Sequence, residues 1–285
     1  GSWYGVLGYL RSTNNGASFE AIRPLYTAPG YHHVYDARIA ASDGKVTIGF
    51  NVWRNWEVND AYYLLNSDNG GTDFTQRTVY TTTAYRRYVE DLQRVGDNIY
   101  VLFRQDGWVY LAASANAGSS FTQNQLSVPG SPKVAYPLQD HHYVPKIAGV
   151  GNQVSVIWNG QDVEGVHSVF TRLSANSGAS FGEAVNLTRG VIPEGKALQA
   201  GQETLAAQGK YAYSLFVTSA MNVYLRRSTN GGVDFLGLQE LTSSNAPYLT
   251  QGWWPVVKTD PTVASGAKVH VFWDWPAYCF SIDGG

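Results

Sequence analysis

Along the chain, apolar and polar residues alternate over short runs, and no segment sustains the three-to-four-residue spacing of an amphipathic helix. Alternation of period two predicts half-buried strands. Segments 3–10 and 19–27 read as two strands on either side of a polar turn. Residues 38–41 then read as an inner strand, Ser42-Asp43-Gly44 as a turn, 45–53 as a second strand, 60–65 as a third and 76–81 as a fourth. Later stretches follow the same scheme. The hydrophobic residue of the first strand and the one opening the second lie seven apart in Ile39 and Val46, Leu92 and Ile99, Ile147 and Val154, and Thr204 and Tyr211. In the last unit Val257 lies in an inner strand and Val269 opens the second, across a longer turn around Asp260-Pro261.

Between third and fourth strands sits a recurring motif, Ser-x-Asn/Asp-x-Gly-x-x-Phe. It ends at Phe19, Phe74, Phe121, Phe181 and Phe235, at spacings of 47 to 60 residues, and Ser281-Ile282-Asp283-Gly284-Gly285 begins another copy. Ser and Asn side chains bond neighbouring backbone N–H groups, and glycine accepts the positive φ of a tight turn. Repetition at this period indicates a repeat architecture, and four strands per unit make the blade of a propeller. The chain opens on a third strand and closes after another, giving five first strands, five second, six third and five fourth. Two rings accommodate that set. One has six blades with one incomplete; the other has five, the last first-and-second pair adopting the N-terminal strands and leaving residues 276–285 as a tail.

The motif resembles the Asp-box of bacterial neuraminidase repeats, the signature of sialidase-like β-propellers. The resemblance extends over nearly the whole chain and implies an all-β, single-domain β-propeller over residues 1–285, of four-stranded blades with Asp-box turns, six-bladed with five as the alternative. It also implies a glycan or polysaccharide ligand, met on the face opposite the Asp-boxes, in an extracytoplasmic protein that is secreted, periplasmic or at the cell surface.

Composition narrows the partners. Charged residues make up 15% and the net charge is −2, which argues against nucleic acid and against a polybasic membrane surface. No apolar run is long enough to insert into a membrane, and a monomer is expected. A single cysteine, Cys279, makes no internal disulfide. No Gly-rich phosphate loop occurs, and the paired histidines lack metal-ligand spacing, so no cofactor and no metal are expected.

The chemistry concentrates in the loops opposite the motif turns. Trp53, Arg54, Trp56, His33, Trp253, Trp254 and Trp273 are the expected ligand contacts, since flat aromatics stack on sugar rings while planar polar groups bond hydroxyls. Trp53 and Trp158 equally suit packing between blades. Among Asp36, Asp60, Glu90, Asp91, Asp140 and Glu203, two carboxylates can act as general acid and base if their surroundings split their pKa values. The expected catalytic set is Asp60, Arg87, Glu90, His142, Tyr143 and Glu203. His142 and Tyr143 with Arg87 suit proton abstraction from a uronate, as in propeller lyases. Asp36 with Arg38, or Glu90 with Arg87, equally suit structural ion pairs. Sialidases carry an Arg-Ile-Pro signature on the first strand. Here that arginine position falls on Tyr35, Tyr88, Tyr143, Ala200 and Trp253, while Arg38-Ile39-Ala40 lies three residues late and lacks the proline. Sialidase catalytic residues therefore do not transfer, and a lectin-like binding propeller is the alternative to a hydrolase.

Overall fold

The computed structural model describes residues 5–30, 32–55, 58–81, 87–105, 107–127, 145–161, 167–190, 198, 204–208, 211–218, 220, 222–230, 232–242, 253–259, 268–274 and 278–283. Sheet 1 pairs β1 (Val6–Tyr9) with β2 (Arg23–Thr27). Sheet 2 orders β3 (His33–Ser42), β4 (Lys45–Asn55), β5 (Val58–Ser67) and β6 (Thr75–Thr81). Sheet 3 holds β7 (Arg87–Val95), β8 (Asn98–Gln105), β9 (Trp108–Ser114) and β10 (Thr122–Gln125). Sheet 4 holds β11 (Lys146–Val150), β12 (Gln153–Gln161), β13 (His167–Ser174) and β14 (Val185–Asn186). Sheet 5 holds β15 (Thr204–Gln208), β16 (Tyr211–Val217), β17 (Val223–Ser228) and β18 (Gln239–Glu240). Sheet 6 holds β19 (Trp253–Thr259), β20 (Lys268–Asp274) and β21 (Tyr278–Asp283). Every pairing is antiparallel, and among the described residues there is no helix. None is therefore long and apolar enough to cross a membrane.

The strand order follows the sequence alternation closely. Residues 276–285, a tail in the five-blade arrangement, include β21, which pairs with β20 from Lys268↔Asp283 to Trp273↔Tyr278. One register differs. Ile39, Leu92 and Ile147 pair with Ile48, Val101 and Val156, and the residue with the same pairing in sheet 5 is Leu205, opposite Ser214. The seven-residue interval there joins Leu205 to Ala212, one residue later than Thr204 and Tyr211. The Gln208↔Tyr211 pair sets this register, because a slip by one would turn every buried side chain of β15 to the other face.

Five hydrophobic layers fill the spaces between consecutive sheets. Leu7, Phe50 and Leu65 join sheets 1 and 2; Tyr62, Leu92 and Phe103 join 2 and 3; Leu102, Val154 and Trp158 join 3 and 4. Ile157, Leu205 and Phe216 join 4 and 5, and Leu215, Val257 and Val271 join 5 and 6. Innermost strands neighbour one another in chain order, β3 with β7, β7 with β11, β11 with β15 and β15 with β19, so the sheets fan about a common axis. Sheets covered on both faces explain why β8 and β16 are buried almost throughout.

The recurring motif builds the same turn each time. Ser67 Oγ donates to Asn69 Oδ1 at 2.9 Å, the Gly71 N–H donates to Ser67 Oγ at 2.9 Å, and the Asp73 N–H donates to Asn69 Oδ1 at 3.0 Å. Ser12/Asn14, Ser114/Asn116, Ser174/Asn176 and Ser228/Asn230 repeat it within a tenth of an ångström or so. These turns also clamp the sheets. Asn66 Nδ2 donates to Ala117 O at 2.9 Å and Asn124 Nδ2 to Gly178 O at 2.8 Å, each reaching the next sheet's turn. Within a sheet, the turn closes on the tip of its own first hairpin, through Gly70 N to Gly44 O, Ala117 N to Asp97 O and Ser177 N to Asn152 O. Hairpin tips and motif turns therefore share one rim. First-strand starts and second-strand ends lie on the other.

Candidate functional site

The rim away from the motif turns is where three innermost strands lose their regular pairing. A bulge interrupts β3 between Tyr35 and Arg38, β7 between Val89 and Asp91, and β19 between Trp253 and Val256. An extra residue in one strand bends it and re-aims its side chains, a device common beside binding sites. In β3 the bulge places Asp36 at φ 51°, the left-handed region. Of the non-glycine residues with positive φ among those described, Asn15, Asp43, Ala117 and Ser177 lie in turns, and Asp36 alone lies within a strand.

Second strands supply polar partners at one common step. Asn51, Arg104 and Asn159 each lie three residues beyond Ile48, Val101 and Val156, and all three are buried. Asn51 Nδ2 donates to Asp36 Oδ2 at 3.4 Å, and Tyr80 Oη donates to Asn51 Oδ1 at 3.3 Å. Arg104 Nε donates to Glu90 Oε1 at 2.5 Å, with both side chains almost wholly covered. Sheets 2 and 3 thus build the same unit, a carboxylate on a first-strand bulge held by a buried polar side chain of the second strand. Asn159 Nδ2, at the same step of sheet 4, has no hydrogen-bond partner among the described residues.

Cations and aromatics complete the rim. Arg38 Nη2 donates to Val89 O at 3.3 Å and so bridges sheets 2 and 3. The Arg87 guanidinium lies 4.4 Å from the Tyr80 ring centroid and 5.0 Å from that of Phe103, and its Nε donates to Gln105 Oε1 at 2.7 Å. Tyr62 is fully buried beneath them, its hydroxyl against Gly49, where a Cβ would come within 2.1 Å of the oxygen. Any other residue at 49 would displace that ring. At the outer edge His33 pairs with Trp53 across β3 and β4, and the Tyr35 ring lies 4.5 Å from Trp53 and 5.8 Å from His33. Among the described residues no group of three His, Cys, Asp or Glu side chains is placed to hold a metal ion.

Burial sets the protonation of this cluster. It pushes the Glu90 carboxyl up, against the Arg104 guanidinium pulling the other way. It pushes the Asp91 carboxyl up too, opposed by the N–H groups of Ile147 and Leu92, each 3.0 Å away. Burial likewise raises the Tyr62 and Tyr80 phenols; Tyr80 donates to Asn51, while the Tyr62 hydroxyl has no acceptor among the described residues. A carboxyl whose pKa rises on folding binds its proton more tightly in the native state, so its stabilisation is complete below its unfolded value, about pH 4, and fades as pH climbs through the folded value. Asp91→Asn is therefore expected to gain stability relative to the unmodified chain as pH rises from about 3 to about 7. Urea unfolding across that range checks it, and a constant difference contradicts it.

The expected site residues fare unevenly. Arg87, Glu90, His33 and Trp53 lie on the rim away from the motif turns. Glu90 pairs with Arg104 rather than Arg87, because Arg104 projects from the adjacent strand beside it while Arg87 stacks on Tyr80 and Phe103. Arg54 and Asp60 contribute backbone to β4 and β5, and Trp253, Trp254 and Trp273 to β19 and β20; their side chains lie outside the described residues. Trp56, His142, Tyr143 and Glu203 lie outside them altogether. Trp158 is wholly buried between sheets 3 and 4, so it packs. Asn51, Tyr62, Tyr80 and Arg104 are not among the expected site residues. The signal in the row is Glu90-Asp91, two adjacent charges that break the alternation of a buried strand where the bulge falls.

Solved structures share this arrangement of sheets. A protein of unknown function from Dyadobacter fermentans matches with a TM-score of 0.53 at 13% identity, over 89% of this chain and 79% of that one. The α-L-arabinofuranosidase Arb93A from Fusarium graminearum, solved with an iminosugar inhibitor, matches with a TM-score of 0.52 at 13% identity, over 87% of this chain and 77% of that one. The GH74 xyloglucanase from Xanthomonas campestris matches with a TM-score of 0.52 at 16% identity, over 96% of this chain and 41% of that one. At such identities the likeness establishes the fold alone, a β-propeller of antiparallel sheets. No protein-family model matches the sequence, and no curated protein does.

Proposed function

We propose that the chain is a carbohydrate-active β-propeller of the Asp-box kind, acting on a glycan or polysaccharide at the rim opposite its motif turns. The observation that carries this reading is the charged cluster of Asp36, Arg38, Glu90, Asp91 and Arg104 on the innermost strands, with the His33, Tyr35 and Trp53 rings at its edge. Two of the similar structures are glycoside hydrolases by name, which supports hydrolysis as the reaction class. Glu90 is the group we assign as acid, since burial raises its carboxyl against the opposing pull of Arg104. Arg87, braced on Tyr80, is the cation at the ligand's edge.

We assign the sheets to a ring of six positions, the first holding only β1 and β2. The exposure of Phe19 supports this: 61% of it is exposed, whereas Phe74, Phe121, Phe181 and Phe235 each rest half-buried on the preceding sheet. Val6 and Ile22, on or beside the strands of sheet 1, and Val256 and Phe272, on sheet 6, are exposed as well. We also take the protein to be secreted, periplasmic or on the cell surface, and to work as a monomer without nucleic acid, in keeping with its net charge of −2.

The test is incubation with sialosides, uronate polymers and neutral polysaccharides while following new reducing ends and the absorbance of unsaturated uronates. Release of reducing ends, lost in Glu90→Gln, is the expected result; unsaturated products would instead mark a lyase. A second reading, glycan binding without turnover, is favoured by the close Glu90–Arg104 contact, which engages the acid. It predicts retention on a polysaccharide with no new ends.

A further inference from the structure

Resting on that assignment of the rim, we propose that the site takes a neutral glycan and that Asp36 is its ligand-contacting carboxylate, presented by the β3 bulge and aimed by Asn51 and Tyr80. Among the described residues, the cations of this rim already face partners. Arg104 bonds Glu90, Arg87 is stacked on Tyr80 and Phe103 and bonds Gln105, and Arg38 reaches the Val89 carbonyl. Among these described side chains the open charge is negative. Asp36 is exposed, while Glu90, in the neighbouring bulge, is 6% exposed and bonded to an arginine. A sialic acid or uronate carboxylate brought to this place meets Asp36 as a like charge, whereas sugar hydroxyls donate to it.

The fold sustains Asp36 at a cost. A strand-interior residue in the left-handed region is held there only by its surroundings, and such strain gathers where function needs a particular direction. Asn51 is wholly buried on the face of β4 opposite Phe50 and Val52, and its amide reaches Asp36 on one side and Tyr80 on the other. An apolar residue would pack there without a polar group to satisfy. Asn51 and Tyr80 are positioning residues; they act on the ligand only through the Asp36 carboxylate.

Affinity electrophoresis of the whole chain in gels holding arabinan, xyloglucan, polygalacturonate or a sialylated glycoprotein tests this. A neutral polysaccharide is expected to retard the protein, and the two anionic polymers are not. Asp36→Asn keeps a residue that tolerates positive φ while removing the charge, so its thermal midpoint should stay put while affinity drops about tenfold or more. Tyr80→Phe should weaken binding less, and should add nothing on the Asp36→Asn background, because both changes act on one group. Retardation by an anionic polymer alone, or by a neutral one equally in Asp36→Asn, overturns the inference while leaving the rim a glycan site. If no polymer retards the unmodified protein, the carbohydrate reading itself falls, and this inference with it.

Discussion

Replacing Arg104 by alanine is expected to lower the free energy of unfolding by about 3–5 kcal/mol, because the Glu90 carboxyl would be left buried opposite no cation. Both side chains are almost fully covered, at 5% and 7% exposure, so solvent does little to screen the loss. Glu90→Ala should cost a similar amount by stranding the guanidinium. The double replacement Glu90→Leu with Arg104→Met should recover most of the stability, since desolvating two charges offsets much of their attraction. Urea unfolding of the three variants decides the matter. A cost below about 1 kcal/mol for either single change would place the pair among solvent-screened surface bridges. A double variant that is stable yet inactive would show that the pair serves the chemistry of the rim.

Gly178→Ala should be nearly as damaging, at about 2–5 kcal/mol, from two sources that add: a left-handed backbone costing about 1–2 kcal/mol for an L-residue and overpacking of about 1–3 kcal/mol. Gly178 has φ 78°, and a Cβ there would lie 2.6 Å from Ala113 Cβ and 3.3 Å from Tyr100 on the preceding sheet. Gly16 is the internal control. Its φ is 84°, but no atom lies within 4 Å of where its Cβ would be, so Gly16→Ala should show the backbone cost alone. Equal losses at the two positions, measured by urea unfolding, would mean that the motif glycines do not set the spacing of the sheets.

These two sites mark how far the amino-acid row could be read. The motif announced the turns because each copy spends its serine, asparagine and glycine locally, within five residues, and local chemistry survives in sequence. Strand identity was legible for the same reason, through the alternation and the short hairpins after Ser42, Val95 and Val150. What the row did not reveal is cross-strand. The Glu90 partner lies fourteen residues away on β8, and choosing it over Arg87 needs both the pairing and the bulge. Asp36, Asn51 and Tyr80 come from the first, second and fourth strands of one sheet, and only the folded sheet aligns them. The one-residue offset in sheet 5 arose because Thr204 and Leu205 both fit a seven-residue count, and the cross-strand pairing of Leu205 with Ser214 decides between them.

Hydrogen exchange read by mass spectrometry, with and without an arabinan and xyloglucan oligosaccharide mixture, addresses the location of the site directly. The account predicts added protection at residues 33–38 and 87–91 on the first-strand starts, and none at the Ser-Asn-Gly turns near residues 67–74 and 114–121. Protection confined to those turns would place the ligand on the opposite rim and contradict it.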